Sequence, residues 1–136
     1  MNDLKRPGGA AFAYIGDSVL ETFVRERLVA LGFTDTGKMS EAAHGLVCAE
    51  MQSKLADLLL PLLDDEENEI YRLGRNYKPS SKPRHSSAVE YHRASGFEAV
   101  FGYLHICGKD ERAKELFEEV YSELIQKTKT GVTADG

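Results

Sequence analysis

Two cysteines in 136 residues, Cys48 and Cys107, are too few for a disulfide framework, and neither stands in a CxxC pair. The nearest approaches to a zinc pattern are His44 with Cys48 and His105 with Cys107, and both read as core thiols beside helix histidines rather than as ligand sets. No apolar run reaches the roughly 18 residues that a membrane span requires. The opening MNDLKRPGGAAFAYIGD meets Asp17 before a signal-peptide core could finish. The expectation is a soluble, cytoplasmic protein with no membrane partner. P-loop, GxGxxG, GxSxG and HExxH are all absent, which removes the commonest nucleotide-binding, hydrolase and zinc-protease chemistries. Acids outnumber bases by 22 to 17, and a net charge of −5 argues against a histone-like binder while leaving room for a local basic patch. No stretch alternates with period two for long enough to make a strand, so the fold class is all-α, and the length suits one domain with a single core.

What is present is helical periodicity. From Ala10 to about Leu31, Ile15, Val19, Leu20, Phe23, Val24, Leu28 and Leu31 recur at steps of three and four, and Gly32 stops the helix. Lys38 to about Leu60 repeats the pattern, with a break expected near Gly45 and a limit at Pro61. Asp64-Asp65-Glu66-Glu67 supplies a cap and first-turn acids for a short helix that ends near Asn76. Two amphipathic helices follow, Val89 to Leu104 and Asp110 to Ile125. The chain thus divides into an N-terminal extension (1–9), one helical domain (10–126) with a loop at about 77–87, and a flexible tail (127–136). Phe12, Tyr14 and Phe23 place apolar bulk on more than one face of the first helix, which suits either a two-fold homodimer contact or a wider internal core.

The charge is unevenly placed. Between Arg72 and Arg93 six bases meet one acid, Glu90, for a local charge of +5, and the rest of the chain carries −10. With His85 and His92 added, this segment suits either phosphate contact or a plain solvated loop. Two acids are oddly placed: Asp17 interrupts an apolar helical face, and Glu98 stands between Phe97 and Val100. If the fold joins them they can hold a hard cation such as Mg²⁺, which takes oxygen ligands. The other reading makes them helix acids bonded to caps or to Arg25, Arg27 or Arg93.

Three segments carry a resemblance. Ala13-Tyr14-Ile15-Gly16-Asp17-Ser18-Val19-Leu20-Glu21 resembles the helical signature of the ribonuclease III catalytic domain, and Phe97-Glu98-Ala99-Val100-Phe101-Gly102-Tyr103-Leu104 resembles that family's second acidic helix. Arg72-Leu73-Gly74-Arg75-Asn76 before a basic loop is similar to Mini-ribonuclease III, the small bacterial branch without a double-stranded-RNA-binding domain. The resemblance implies a homodimeric endoribonuclease that cuts double-stranded RNA with Mg²⁺, leaves 5′-phosphate and 3′-hydroxyl ends, and matures pre-23S ribosomal RNA, with room for a ribosomal protein that presents the substrate. It makes Asp17 the principal catalytic carboxylate and Glu98 its metal-binding partner. Arg75 and Asn76 become RNA contacts by the same match, and Lys78, Lys82, Arg84 and His85 by charge and position. The larger family carries two further acids where this chain has Ala10 and Ser95. That departure leaves a rival from another class, a catalytically silent RNA-binding module on the same fold.

Overall fold

Phe12, Leu20, Val24 and Leu28 fall on one stripe of the first helix, α1 (Gly9–Ala30), and all four are fully buried. The computed structural model describes residues 7–78 and 87–135. Beyond α1 it has α2 (Thr36–Val47), α3 (Ala49–Leu59), a 3₁₀ turn at Leu60–Leu62, α4 (Asp65–Asn76), α5 (Ala88–Ile106) and α6 (Asp110–Asp135). No strand occurs among the described residues, as the all-α class requires. Nor is any described helix long and apolar enough to cross a membrane.

The ends of these helices follow local chemistry. Gly32 takes φ 99° just after α1, a conformation that costs glycine little. Asp64 and Glu67 form a reciprocal capping box at the start of α4, and Ser87 and Glu90 form another at the start of α5. The break in the second predicted helix falls at Cys48, not at Gly45. Gly45 stays helical, whereas Cys48 turns extended (ψ 156°), closes α2 through a bond to His44 O and opens α3 by accepting from Gln52 N. Cys107 is exposed after α5, so only Cys48, half-buried at the kink, fits the reading of a core thiol.

Helix α5 is central. Ser95, Gly96, Phe97 and every residue from Ala99 to Leu104 are buried, because α1, α3, α4 and α6 all pack around it. It is therefore apolar on all sides rather than amphipathic. Leu116, Phe117, Val120, Tyr121 and Ile125 supply the inner face of α6. That helix continues through the segment where the sequence predicts a tail: no proline stops it after Ile125, and Thr128 Oγ1 donates back to Leu124 O at 2.9 Å. Of the three aromatics considered for a dimer contact, Phe12 is in the core and Phe23 packs on Phe117 at 5.2 Å between ring centres. Only Tyr14 is strongly exposed, at 80%.

Candidate active site

The crossing of α1 and α5 is made by glycine. A Cβ on Gly16 would lie 1.7 Å from the Glu98 carbonyl oxygen, and one on Gly102 would lie 1.9 Å from that of Phe12. With only hydrogen at both positions the two backbones touch, and Asp17, the residue after Gly16, reaches the Glu98 side chain. The two carboxyl groups are within hydrogen-bonding reach of each other. Contrary to the sequence expectation, Asp17 is exposed; Glu98 is the recessed member.

Burial is the first reason that the Glu98 carboxyl is held well above its ordinary pKa, and the Asp17 charge and its hydrogen bond are the next. The Gln52 amide of α3 acts in the opposite direction, and Glu21 adds a small upward push. None of the three arginines considered as partners serves the pair. Arg25 meets Glu21 at 3.5 Å, Arg27 meets Glu118 at 2.6 Å, and Arg93 meets Asp57 at 2.6 Å. A structural buried acid in the same molecule looks different. Glu67, 3% exposed, takes Arg112 Nε and Nη2 at 3.0 Å each and the Asp64 N–H at 2.9 Å. Among the described residues no such cation faces Asp17 or Glu98, so no side-chain cation offsets the charge of the pair and Glu98 holds its proton instead.

Two adjoining carboxylates, offering only oxygen donors, suit a hard divalent cation better than a softer one. No group of three or more His, Cys, Asp or Glu forms a metal cluster among the described residues. Ala10 is exposed at the start of α1, and Ser95 is buried with its hydroxyl toward Tyr91, so neither position adds an acid. Glu21 is drawn to Arg25.

The uncompensated pair has a stability consequence. Without metal, folded Glu98 holds its proton more tightly than the unfolded chain does, so its contribution to stability is full below the unfolded pKa and is lost as pH rises through the raised one. Glu98→Gln removes this titration. In chelator at neutral pH the variant should be more stable than wild type by roughly 1–3 kcal/mol, the range for a poorly satisfied buried polar group. Thermal melts across pH should show the wild-type slope flattened in the variant.

The basic segment starts where α4 ends. Arg75, Asn76 and Lys78, with His92 and Arg93 of α5, line a cleft of about 420 Å³. Arg75 Nε donates to Asn76 Oδ1 at 3.2 Å, and its guanidinium lies 6.0 Å from the Tyr71 ring centre. The Tyr77 and Tyr91 hydroxyls meet at 2.9 Å and tie together the two ends of the loop. Asn76 is the last residue of α4 rather than its cap, which is Tyr77. Arg93 is held by Ser53 and Asp57, and Arg72 by Glu69, so neither adds loose charge to the cleft. Lys82, Arg84 and His85 lie outside the described residues. Sequence reasoning missed Gln52, a buried polar residue at helical spacing from Leu55, Ala56 and Leu59; that placement on an apolar stripe was the available signal.

The Ribonuclease III domain family matches residues 10–109. The Mini-ribonuclease 3 of Enterococcus faecalis is 36% identical over 118 residues, covering 85% of this chain and 89% of that protein. Those of Symbiobacterium thermophilum (37% over 106 residues, 78% and 82%) and Streptococcus pneumoniae (36% over 118 residues, 85% and 92%) are similarly close. A Fusobacterium nucleatum protein of known crystal structure shares the fold with a TM-score of 0.78 at 24% identity, over 87% of this chain and 96% of that one.

Proposed function

The chain belongs to the ribonuclease III family, and from that membership we propose that it is a Mg²⁺-dependent endoribonuclease that cleaves double-stranded RNA, its natural substrate being the 23S ribosomal RNA precursor. The observation that carries this reading is the juxtaposition of Asp17 and Glu98 with no cation among the described residues to compensate them. A Mg²⁺ held by the two carboxylates would supply an activated water and positive charge against that developing on the phosphate. Asp17, exposed on α1, presents its carboxylate at the surface that a duplex can approach; Glu98, recessed beneath it, is half-buried. A homodimer would offer one such pair to each strand of the duplex, and a ribosomal protein can present the precursor.

A-form RNA hides its base edges in a deep groove, so contact runs through phosphates and 2′-hydroxyls. Arg75, Asn76 and Lys78 line the cleft that fits this role, and Lys82, Arg84 and His85 extend the same charge along the chain. Arg75→Glu with Lys78→Glu should weaken duplex binding and reduce the slope of log K against log salt by about 2, since each lost phosphate contact retains its counterion. Filter binding across a salt series reads this directly, and an unchanged slope would move the RNA surface elsewhere.

The test of the whole reading is cleavage of a perfectly paired RNA duplex of a few turns, with Mg²⁺ and with chelator, beside a DNA duplex and single strands. Cutting confined to duplex RNA with metal is the expected result. Binding without cutting, on the duplex and on a folded ribosomal precursor alike, would support the silent RNA-binding module, which Ala10 and Ser95 favour.

A further inference from the structure

Gln52 is only 2% exposed, and its Nε2 finds no hydrogen-bond partner within normal distance. Such an orphaned amide costs about 1–3 kcal/mol. The residues on the same face of α3, Leu55, Ala56 and Leu59, are apolar, so a hydrophobic side chain of similar size would suit the fold better. Packing alone gives no reason for an amide here.

Its surroundings give one. The residue after it, Ser53, is fixed to α5: Arg93 Nη2 donates to Ser53 O at 2.8 Å and Arg93 Nε to Ser53 Oγ at 3.1 Å. These bonds help to hold α3 against α5, with Gln52 beside Glu98. The other polar group that Gln52 borders is the Tyr121 phenol, whose proton is already given to Leu46 O at 2.9 Å. The phenol oxygen can still accept from the amide, but the Glu98 carboxylate beside it is the charged and therefore the stronger acceptor.

We propose that Gln52 is a positioning residue: its buried amide, unpaired in this structure, donates to the Glu98 carboxylate when that group is ionised against a cation, orients it beside Asp17, and so sets the cation affinity of the pair. This rests on the reading of Asp17 and Glu98 as metal ligands. A glutamate has several free torsions, and a donor placed in advance beside its carboxylate lowers the cost of ordering it around a cation. The chemistry of the donor matters too. A neutral amide orients a carboxylate without cancelling its charge, whereas Lys or Arg at position 52 would supply the very charge that the cation must bring. Partners of this kind, one step behind the ligands, are typically worth about 10–100-fold in metal affinity.

The experiment is a Mn²⁺ titration of the full chain without RNA, read by the electron paramagnetic resonance signal of free Mn²⁺, with a thermal melt of each variant. Gln52→Met keeps the length and removes the donor; Gln52→Leu is the second variant should the first pack poorly. The expected result is a melting temperature equal to or above that of wild type, with Mn²⁺ affinity about 10–100-fold weaker. Unchanged Mn²⁺ affinity in a folded variant overturns the proposal, and a lowered melting temperature with unchanged affinity overturns it in favour of a packing role. If wild type binds Mn²⁺ no better than Asp17→Asn, the metal-site reading itself fails and takes the proposal with it. If Asp17→Asn loses binding and both Gln52 variants keep it, only the proposal falls.

Discussion

Asp17→Asn should lower the single-turnover rate of duplex cleavage by about 10³-fold or more, equivalent to roughly 4 kcal/mol of transition-state stabilisation, while the protein remains folded. Asparagine matches aspartate in volume, and the Asp17 side chain is exposed, so no core contact is lost. What disappears is one of the two negative charges that a divalent cation would meet. Duplex binding should persist, because Arg75, Asn76 and Lys78 line a separate cleft and one surface acid fewer repels phosphate less. A denaturing gel gives the rate, circular dichroism the fold and filter binding the affinity. Turnover retained at the wild-type level would remove Asp17 from the centre of the reaction.

The largest expected effect on stability comes from Gly16→Ala. The added Cβ would stand 1.7 Å from Glu98 O and 2.5 Å from its carbonyl carbon, both backbone atoms that cannot rotate away. Helices α1 and α5 would have to part along the seam that buries Phe12 and Leu20, so a loss of about 3 kcal/mol or more is expected, at the upper end of overpacking effects. Cleavage by whatever folded fraction remains should fall as well, since a displacement of about 1 Å at a reacting centre can cost about 10²-fold. Gly45→Ala is the matched control. Gly45 also lies inside a helix, but nothing stands within 4 Å of its Cβ position, so that change should stabilise by roughly 0.5–1 kcal/mol. Chemical denaturation of both variants reads the contrast.

Much of this was legible in the sequence. Helix α1 ends where Gly32 said it would, and Asp64 caps α4, because caps and turns are decided by residues a few positions apart. The pairing of Asp17 with Glu98 was suggested by their anomalous placing and by resemblance. Which of them is the more recessed was not, since that depends on how α1 lies across α5. Arg25, Arg27 and Arg93 were equal candidates as partners on paper; packing gave each another acid. The kink at Cys48 was misplaced at Gly45 because glycine weakens a helix without compelling a break, and tertiary contacts chose the site. Gln52 escaped notice because a glutamine among leucines carries no motif.

The glycine crossing also bears on how the protein is made. Gly16 and Glu98 are partners in space, yet 82 positions separate them along the chain, so the seam closes only after most of the domain has been synthesised. At roughly 5–20 residues per second a ribosome takes about 4–16 s to cover that interval. For those seconds α1 has no α5 to cover Phe12, Leu20 and Val24, and closing so long a loop makes folding slower than in a bundle whose helices pair with their sequence neighbours. A nascent chain stopped before Glu98 would display that uncovered stripe to a chaperone and would lack the second carboxylate altogether, so the capacity to cut RNA arrives late in synthesis.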